Sequence, residues 1–568
     1  MAIDILADMG TGALAGALAL SLYAMLTAAI AAASNRVLLW RSAARAIHAI
    51  AFLTTLALGL QVALFAARAF QFAYVASNTS RDLPLVYAVA ALWAGEDGSL
   101  LLWTWALALC AWIATRASAN PRLVHTAVAI LGGIQIFFLW LVLQAQPFAL
   151  LAFAPTNGQG LNPILQTPWM YRHPLPLYLG LAALAVPFAF ALAALLTGQL
   201  DDGWARAARG WAIAGWLLLT LAIVFGAQWA VRADGWGGYW GWDPVENAAL
   251  LPWLAVVAFF HSRMATERRG MLKRWTLALA GTTFGFALVG AFISRGGIVP
   301  SIHAFGSTGR GDAFLYLAAF ALVVFFALLL FRWRDLRGAH TPRLFAREST
   351  LSWTNWTLTA LAFLELAASV TPWWTRLMGA REIVLSATFY NHATAPLWSA
   401  LLVSMGVCPL VGFGARASGK TLRALAVPLA SAAIGAALGL LIAADGWRSA
   451  LFGLGGFVLA STWDDFGRGL AARWRKGERN IIFSFAGLVA QSRRHYGGYL
   501  AHIGIVFMAL GLASGEELIW AGLAILTVGT LVAVLPIQQR IKEKRINEFI
   551  RVSPIRVVLS PHELGNPE

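Results

Sequence analysis

Apolar residues occur in this chain as long runs, not in alternation. Runs of roughly 20 apolar positions recur from end to end, each long enough to cross a ~30 Å hydrocarbon core as a helix. They predict about fifteen spans, from one near 10–33 to one near 518–537, including runs near 353–370, 424–443 and 449–463. The connections between runs alternate in charge. "RVLLWRSAAR", "RMATERRGMLKR", "RWRDLRGAHTPRLFAR", "RGLAARWRKGER" and "QQRIKEKR" form the basic set, whereas 69–97, 146–174, 232–246, 295–311, 371–395 and the short "GEE" near 515 carry few positive charges. The positive-inside rule makes the basic set cytoplasmic, the N-terminus outer and the C-terminus cytoplasmic. The expected architecture is therefore an all-α polytopic membrane protein. It has one helical domain over 1–537 and a cytoplasmic basic tail over 538–568.

Composition agrees. Of 568 residues, 59% are hydrophobic and 12% charged, and the mean hydropathy is +0.69. A soluble chain carries about a quarter charged residues. The net charge of +16 would suggest a nucleic-acid partner in a soluble protein. Here the Lys and Arg residues cluster between apolar runs, so topology accounts for them. Cys110 and Cys408 lie far apart in apolar segments, which excludes a disulfide framework and a CxxC redox pair. The first run lacks a basic n-region and a small-residue cleavage site, so it reads as a retained span.

Candidate chemistry concentrates on the outer face. The connection 232–246 is largely made of "DGWGGYWGWDPVEN" (234–247), with Trp236, Tyr239, Trp240 and Trp242 spaced by glycines and followed by Asp243 and Glu246. Aromatic faces at this density suit a flat macrocycle, and the glycines allow close backbone approach. The acids could accept hydrogen bonds from a ligand or cap the next helix. An interfacial aromatic belt is the competing reading. His173 closes "LNPILQTPWMYRHP" and His303 sits in "SRGGIVPSIHAFG", both on the same outer face. Two neutral imidazoles flanking an aromatic segment suit haem iron.

Two further histidines lie inside spans. By helical rise His261 is ~21 Å from the outer boundary and His502 ~22 Å, so the pair is depth-matched and could ligate a second haem between helices. The plain alternative is two unrelated polar residues bonded to nearby backbone. His48 and His125 lie within or at the ends of spans without a supporting motif. His340, His392, His495 and His562 read as loop residues.

These residues resemble a known family. "WGGYWGWDP" with Glu246 looks like the tryptophan-rich WWD signature of haem-handling proteins in cytochrome c biogenesis. "LNPILQ" before His173, "HSRMATERR", "SIHAFG", "YLAHIG" and "WAGEDGSLLLW" resemble CcmF, the membrane subunit of the bacterial cytochrome c haem lyase, over roughly 70–510. NrfE is a close paralogue, and CcmC and CcsA share the WWD signature. The resemblance implies that His173 and His303 ligate a transient outer haem held on Trp236, Trp240 and Trp242, and that His261 and His502 hold a transmembrane haem b. It implies a holocytochrome c synthase-type activity within a complex in the bacterial cytoplasmic membrane, its site facing the periplasm. Haem would arrive from the chaperone CcmE and be attached to CxxCH of apocytochrome c presented by a CcmH-type subunit, with quinol a candidate electron donor. The family carries a sizeable outer domain between its last two spans; here only "ASGEEL" lies there. The alternative is a haem exporter or chaperone that hands haem on without attaching it. A transporter with a histidine proton relay is a third class, but no broken helices or inverted repeats support it.

Overall fold

The computed structural model describes residues 2–232, 238–301, 303–305, 309–338, 346–412, 423–443 and 445–534. The basic tail from 538 therefore lies outside the described residues, as do Trp236, His340 and His562. In chain order the helices are α1 (Ala2–Ser34), α2 (Val37–Ala67), α3 (Ala73–Asn78), α4 (Leu85–Ala90), α5 (Glu96–Ala114), α6 (Pro121–Ala145) and α7 (Trp169–Arg172). They continue as α8 (Pro174–Thr197), α9 (Gly203–Ala230), α10 (Pro244–Arg269), α11 (Lys273–Arg295), α12 (Arg310–Phe331) and α13 (Arg347–Ser369). The last are α14 (Thr371–Leu377), α15 (Ala387–Val407), α16 (Ala426–Ala443), α17 (Gly446–Arg475), α18 (Ile481–Gln491), α19 (Arg493–Ser514) and α20 (Glu516–Val534).

Among the described residues, 12 helices are long and apolar enough to cross a membrane. The runs expected near 353–370, 424–443 and 449–463 are also helical, as α13, α16 and α17, but fall outside those 12. The reasons are physical. α16 is apolar throughout but counts among the shorter apolar helices, α17 carries Asp464, Asp465 and Arg468 in its second half, and α13 threads Asn, Ser, Thr and Glu through its sequence.

Two histidines expected in loops are helical. His392 lies in the first turns of α15. His495 lies in the first turn of α19, where its Nε2 meets Asp465 Oδ2 of α17 at 2.7 Å. A basic first turn blurred the start of α19, and the pairing that holds His495 comes from a distant helix. The outer connection 69–97 is also built rather than loose. It folds as α3, α4 and a 3-10 turn, bridges Phe72 to Leu150, and anchors the Trp93 indole N–H on the Met170 carbonyl at 2.7 Å.

The centre of the bundle is α8, the most enclosed of the apolar spans, packed on α6, α9 and α11. α10 lies against α11 and α13, and α13 against α15. α19 and α20 form a hairpin joined at Gly515 alone. In lipid no hydrophobic force draws two helices together, so close backbone approach must supply the packing. A Cβ at Gly504 would stand 2.5 Å from the Gly522 carbonyl oxygen, and a Cβ at Gly522 would stand 2.5 Å from that of Gly504. Gly497 meets Gly529 in the same way. Because His502 is two residues from Gly504, this contact also sets its position. Gly504→Val should cost roughly 1–3 kcal/mol through overpacking. We expect a lower melting temperature and, in the same protein, loss of the ligation assigned to His502, read by absorption spectroscopy.

Candidate functional site

His261 and His502 come together from α10 and α19. Their ring centroids are 6.1 Å apart and their planes differ by 5°. A metal–imidazole bond is about 2.0–2.1 Å, so two rings at this separation could share one metal ion. The observed separation fits that arrangement. The Nδ1 of His261 bonds to the Val257 carbonyl of its own helix at 2.8 Å. That bond fixes the tautomer with the proton on Nδ1 and leaves Nε2 as the free lone pair.

The same commitment recurs in His173 and His303. His173 precedes Pro174 at the start of α8, and its Nδ1 donates to the Ala222 carbonyl of α9 at 2.8 Å. Its ring lies against Gly226, where a Cβ would sit 3.0 Å from Cε1 and Nδ1, and meets the edge of Trp229. His303 donates through Nδ1 to Asp243 Oδ2 at 3.1 Å. His173 and His303 lie within electrostatic reach of one another.

Asp243 organises this region. It is the N-cap of α10, with Pro244 in the first helical turn, and its carboxylate accepts from the Val245 N–H at 3.0 Å. Glu246 reaches back to the N–H groups of Gly241 and Asp243, at 2.9 and 3.3 Å, completing a capping box. Ser301 donates to Asp243 Oδ2 at 2.8 Å and accepts from the His303 N–H at 3.0 Å. The two acids thus cap the helix, and Asp243 also orients His303.

The described part of the aromatic segment has defined geometry. Trp242 has φ 55°, a left-handed conformation that costs a bulky residue about 1–3 kcal/mol. It is held there by long-range contacts. Tyr390 of α15 stacks on its ring at 5.0 Å and 7°, and its indole N–H donates to Asn391 Oδ1 at 2.8 Å. Trp240 meets Trp242 edge-on at 6.3 Å, and its buried indole N–H has no partner among the described residues. A bound acidic group such as a haem propionate would satisfy that donor. Tyr239 turns toward Val224 of α9 and Ile519 and Leu523 of α20. A contiguous, folded platform with a free donor fits a flat ligand better than a scattered interfacial belt does.

Other contributors carried no sequence signal. Arg295, buried at the end of α11, donates to Ser99 and Tyr178 and covers the Phe305 ring at 4.8 Å, two residues from His303. Arg310 pairs with Asp97 at 2.5 Å and Glu96 at 3.3 Å, tying "WAGEDG" to the start of α12. His125 stacks on Trp40 at 4.2 Å and His48 bonds to the Ala44 carbonyl, so both have structural partners. No group of three or more His, Cys, Asp or Glu side chains that could hold a metal ion occurs among the described residues. Paired imidazoles without further ligands suit an iron whose other four bonds come from a porphyrin.

The chain's relatives are consistent with that chemistry. Residues 93–299 match the Cytochrome C assembly protein family. The Pseudomonas aeruginosa cytochrome c-type biogenesis protein CcmF is 36% identical over 458 residues, covering 79% of this chain and 68% of the relative. The Escherichia coli CcmF is 39% identical over 358 residues, covering 62% of this chain and 55% of the relative. A solved structure of the cytochrome c haem lyase CcmF superposes with a TM-score of 0.73 at 29% identity, covering 89% of this chain and 77% of that one.

Two substitutions test the outer geometry. Gly226→Ala should push the His173 ring off the Ala222 carbonyl and weaken haem binding at the outer site about 10–100-fold, the usual effect of disturbing a ligand's supporting bond. Haem titration of the purified protein reads this, and unchanged affinity would remove His173 from the site. Asn391→Ala should release the Trp242 indole at a cost of about 0.5–1.5 kcal/mol and weaken outer haem retention, while the inner pair's spectrum stays unchanged.

Proposed function

The chain belongs to the CcmF family of cytochrome c biogenesis proteins, and from that membership we propose that it binds haem on its outer face and attaches it covalently to CxxCH of apocytochrome c. The observation that carries this reading is the set of four histidines. Three of them commit Nδ1 to a fixed acceptor, and His261 and His502 stand at the spacing of two imidazoles across one iron. In this reading one helical domain over 1–537 presents the platform 232–246 to the periplasm, with the N-terminus outside, and the tail 538–568 is cytoplasmic. The charge alternation of the connections supports that orientation.

His173 and His303 hold the substrate haem from its two sides while Trp236, Trp240 and Trp242 support the ring. Asp243 keeps the His303 imidazole in the tautomer that presents Nε2. Each cysteine thiol of CxxCH then adds across a vinyl group: the S–C bond forms and the thiol hydrogen passes to the neighbouring vinyl carbon. The protein contributes position, and holding ring and peptide together removes several kcal/mol of barrier. The histidine of CxxCH can then replace one of the outer imidazoles, which releases the product. His261 and His502 would hold a haem b, which would supply one-electron chemistry beside the outer site. The partners in this reading are a CcmE-type haem chaperone, a CcmH-type subunit presenting the apocytochrome, and quinol as electron donor.

Reduced-minus-oxidised spectra with pyridine haemochrome quantification test the assignment. His261→Ala and His502→Ala should each abolish a b-type signal in the purified protein. His173→Ala should keep that signal and lose cytochrome c maturation. Maturation by His173→Ala at the wild-type rate would overturn the outer ligand, and a wild type without b-type haem would favour the haem-exporting alternative.

A further inference from the structure

Glu365 lies near the end of α13, one helical turn before its last residue Ser369, and is fully buried. Neither of its carboxylate oxygens has a hydrogen-bond partner among the described residues. A charge sealed from water without donors is strongly disfavoured in such a place, and intramembrane carboxylates left in this state are functional candidates. Nearer the other end of α13, Asn355 and Thr359 also bury side-chain polar atoms without partners among the described residues. A helix with so many unmet polar groups is costly to keep unless they serve a purpose.

Between Glu365 and the aromatic platform lies a group of polar side chains. Asn247, in the first turn of α10, donates to the Ser369 hydroxyl at 3.0 Å. The hydroxyl of Tyr390, from α15, lies within hydrogen-bonding reach of both Ser369 and Asn247, and its ring is the one stacked on Trp242. Among the described residues no charged side chain of α10 or α15 acts on Glu365. Tyr390 is the titratable group that faces it from α15, and Asp243 lies beyond Tyr390 at the N-cap of α10.

We propose that Glu365 is a proton-binding site inside the helical bundle, and that the Ser369 and Tyr390 hydroxyls carry its proton to and from the aromatic platform, with the Asn247 amide orienting the Ser369 hydroxyl. The acid releases a proton through this chain to water at the platform and regains one by the same route; no electron moves and only O–H bonds are made and broken. A bridging water or a turn of the side chain closes the step between the carboxyl and the Ser369–Tyr390 pair. The site sets the charge beneath Trp242, neutral when the acid is occupied and negative when it is not. The outward direction of the route rests on the topology proposed above; the presence of the proton does not.

Infrared spectroscopy of the purified full-length protein, without haem or cytochrome, tests this. At neutral pH the wild type should show the carbonyl stretch of a buried protonated carboxylic acid, shifted in heavy water and absent in Glu365→Gln. Tyr390→Phe, which keeps the stacking ring, should slow the heavy-water shift about tenfold through loss of one hydrogen-bonded link. Should the Gln variant not assemble, Glu365→Asp makes the assignment by moving the acid band in frequency. Loss of carboxylate bands alone in Glu365→Gln, or an acid band unmoved by heavy water, would overturn the proton site. Exchange at the wild-type rate in Tyr390→Phe would overturn the route. Because no haem takes part, failure here and failure of the haem-attachment reading are separate results.

Discussion

Asp243 Oδ2 accepts three hydrogen bonds: from the Val245 N–H at the start of α10, from Ser301 and from His303. Without that acceptor the loop carrying His303 would have no fixed relation to the helix that begins beneath it. The consequence extends through the membrane, because α10 runs from this cap to His261, ~27 Å at 1.5 Å per residue. One capped helix thus sets the distance from Asp243 and His303 to His261.

The inner pair depends on a second constraint of a different kind. α19 brings His502 to His261 only because glycines let it press against α20. In lipid such a contact is held by shape rather than by expulsion of water, so each small residue matters singly. The outer pair uses bonds in place of shape, with Nδ1 of each ring tied to a carbonyl or a carboxylate. The Trp242 backbone is strained, and the Tyr390 stack and the Asn391 acceptor compensate for it from a helix nearly 150 residues away in the chain.

Polar groups in α13 give the bundle its third theme. Their presence lowers the hydropathy of that span, and their burial between α10 and α15 gathers Ser369, Asn247 and Tyr390 under the platform. Aromatic ligand support and polar network therefore share one residue, Tyr390, whose ring faces Trp242 and whose hydroxyl joins the network. A substitution there that keeps the ring separates the two roles.

By itself the sequence determined what depends on neighbours along the chain. Runs of apolar residues specify helices because a backbone in hydrocarbon must satisfy its own hydrogen bonds. The capping box at Asp243–Glu246 is legible for the same reason, its partners being at most five residues apart. Helical rise also matched His261 and His502 in depth. Only the tertiary structure decided which faces meet: that those two rings stand 6.1 Å apart, that His173 rests on Gly226, and that Tyr390 and Asn391 hold Trp242. It also decided that Glu365 is sealed from water and that His392 and His495 belong to helices. Such contacts join positions far apart in the chain, and no spacing or period in the sequence encodes the rotation and register with which one helix packs on another.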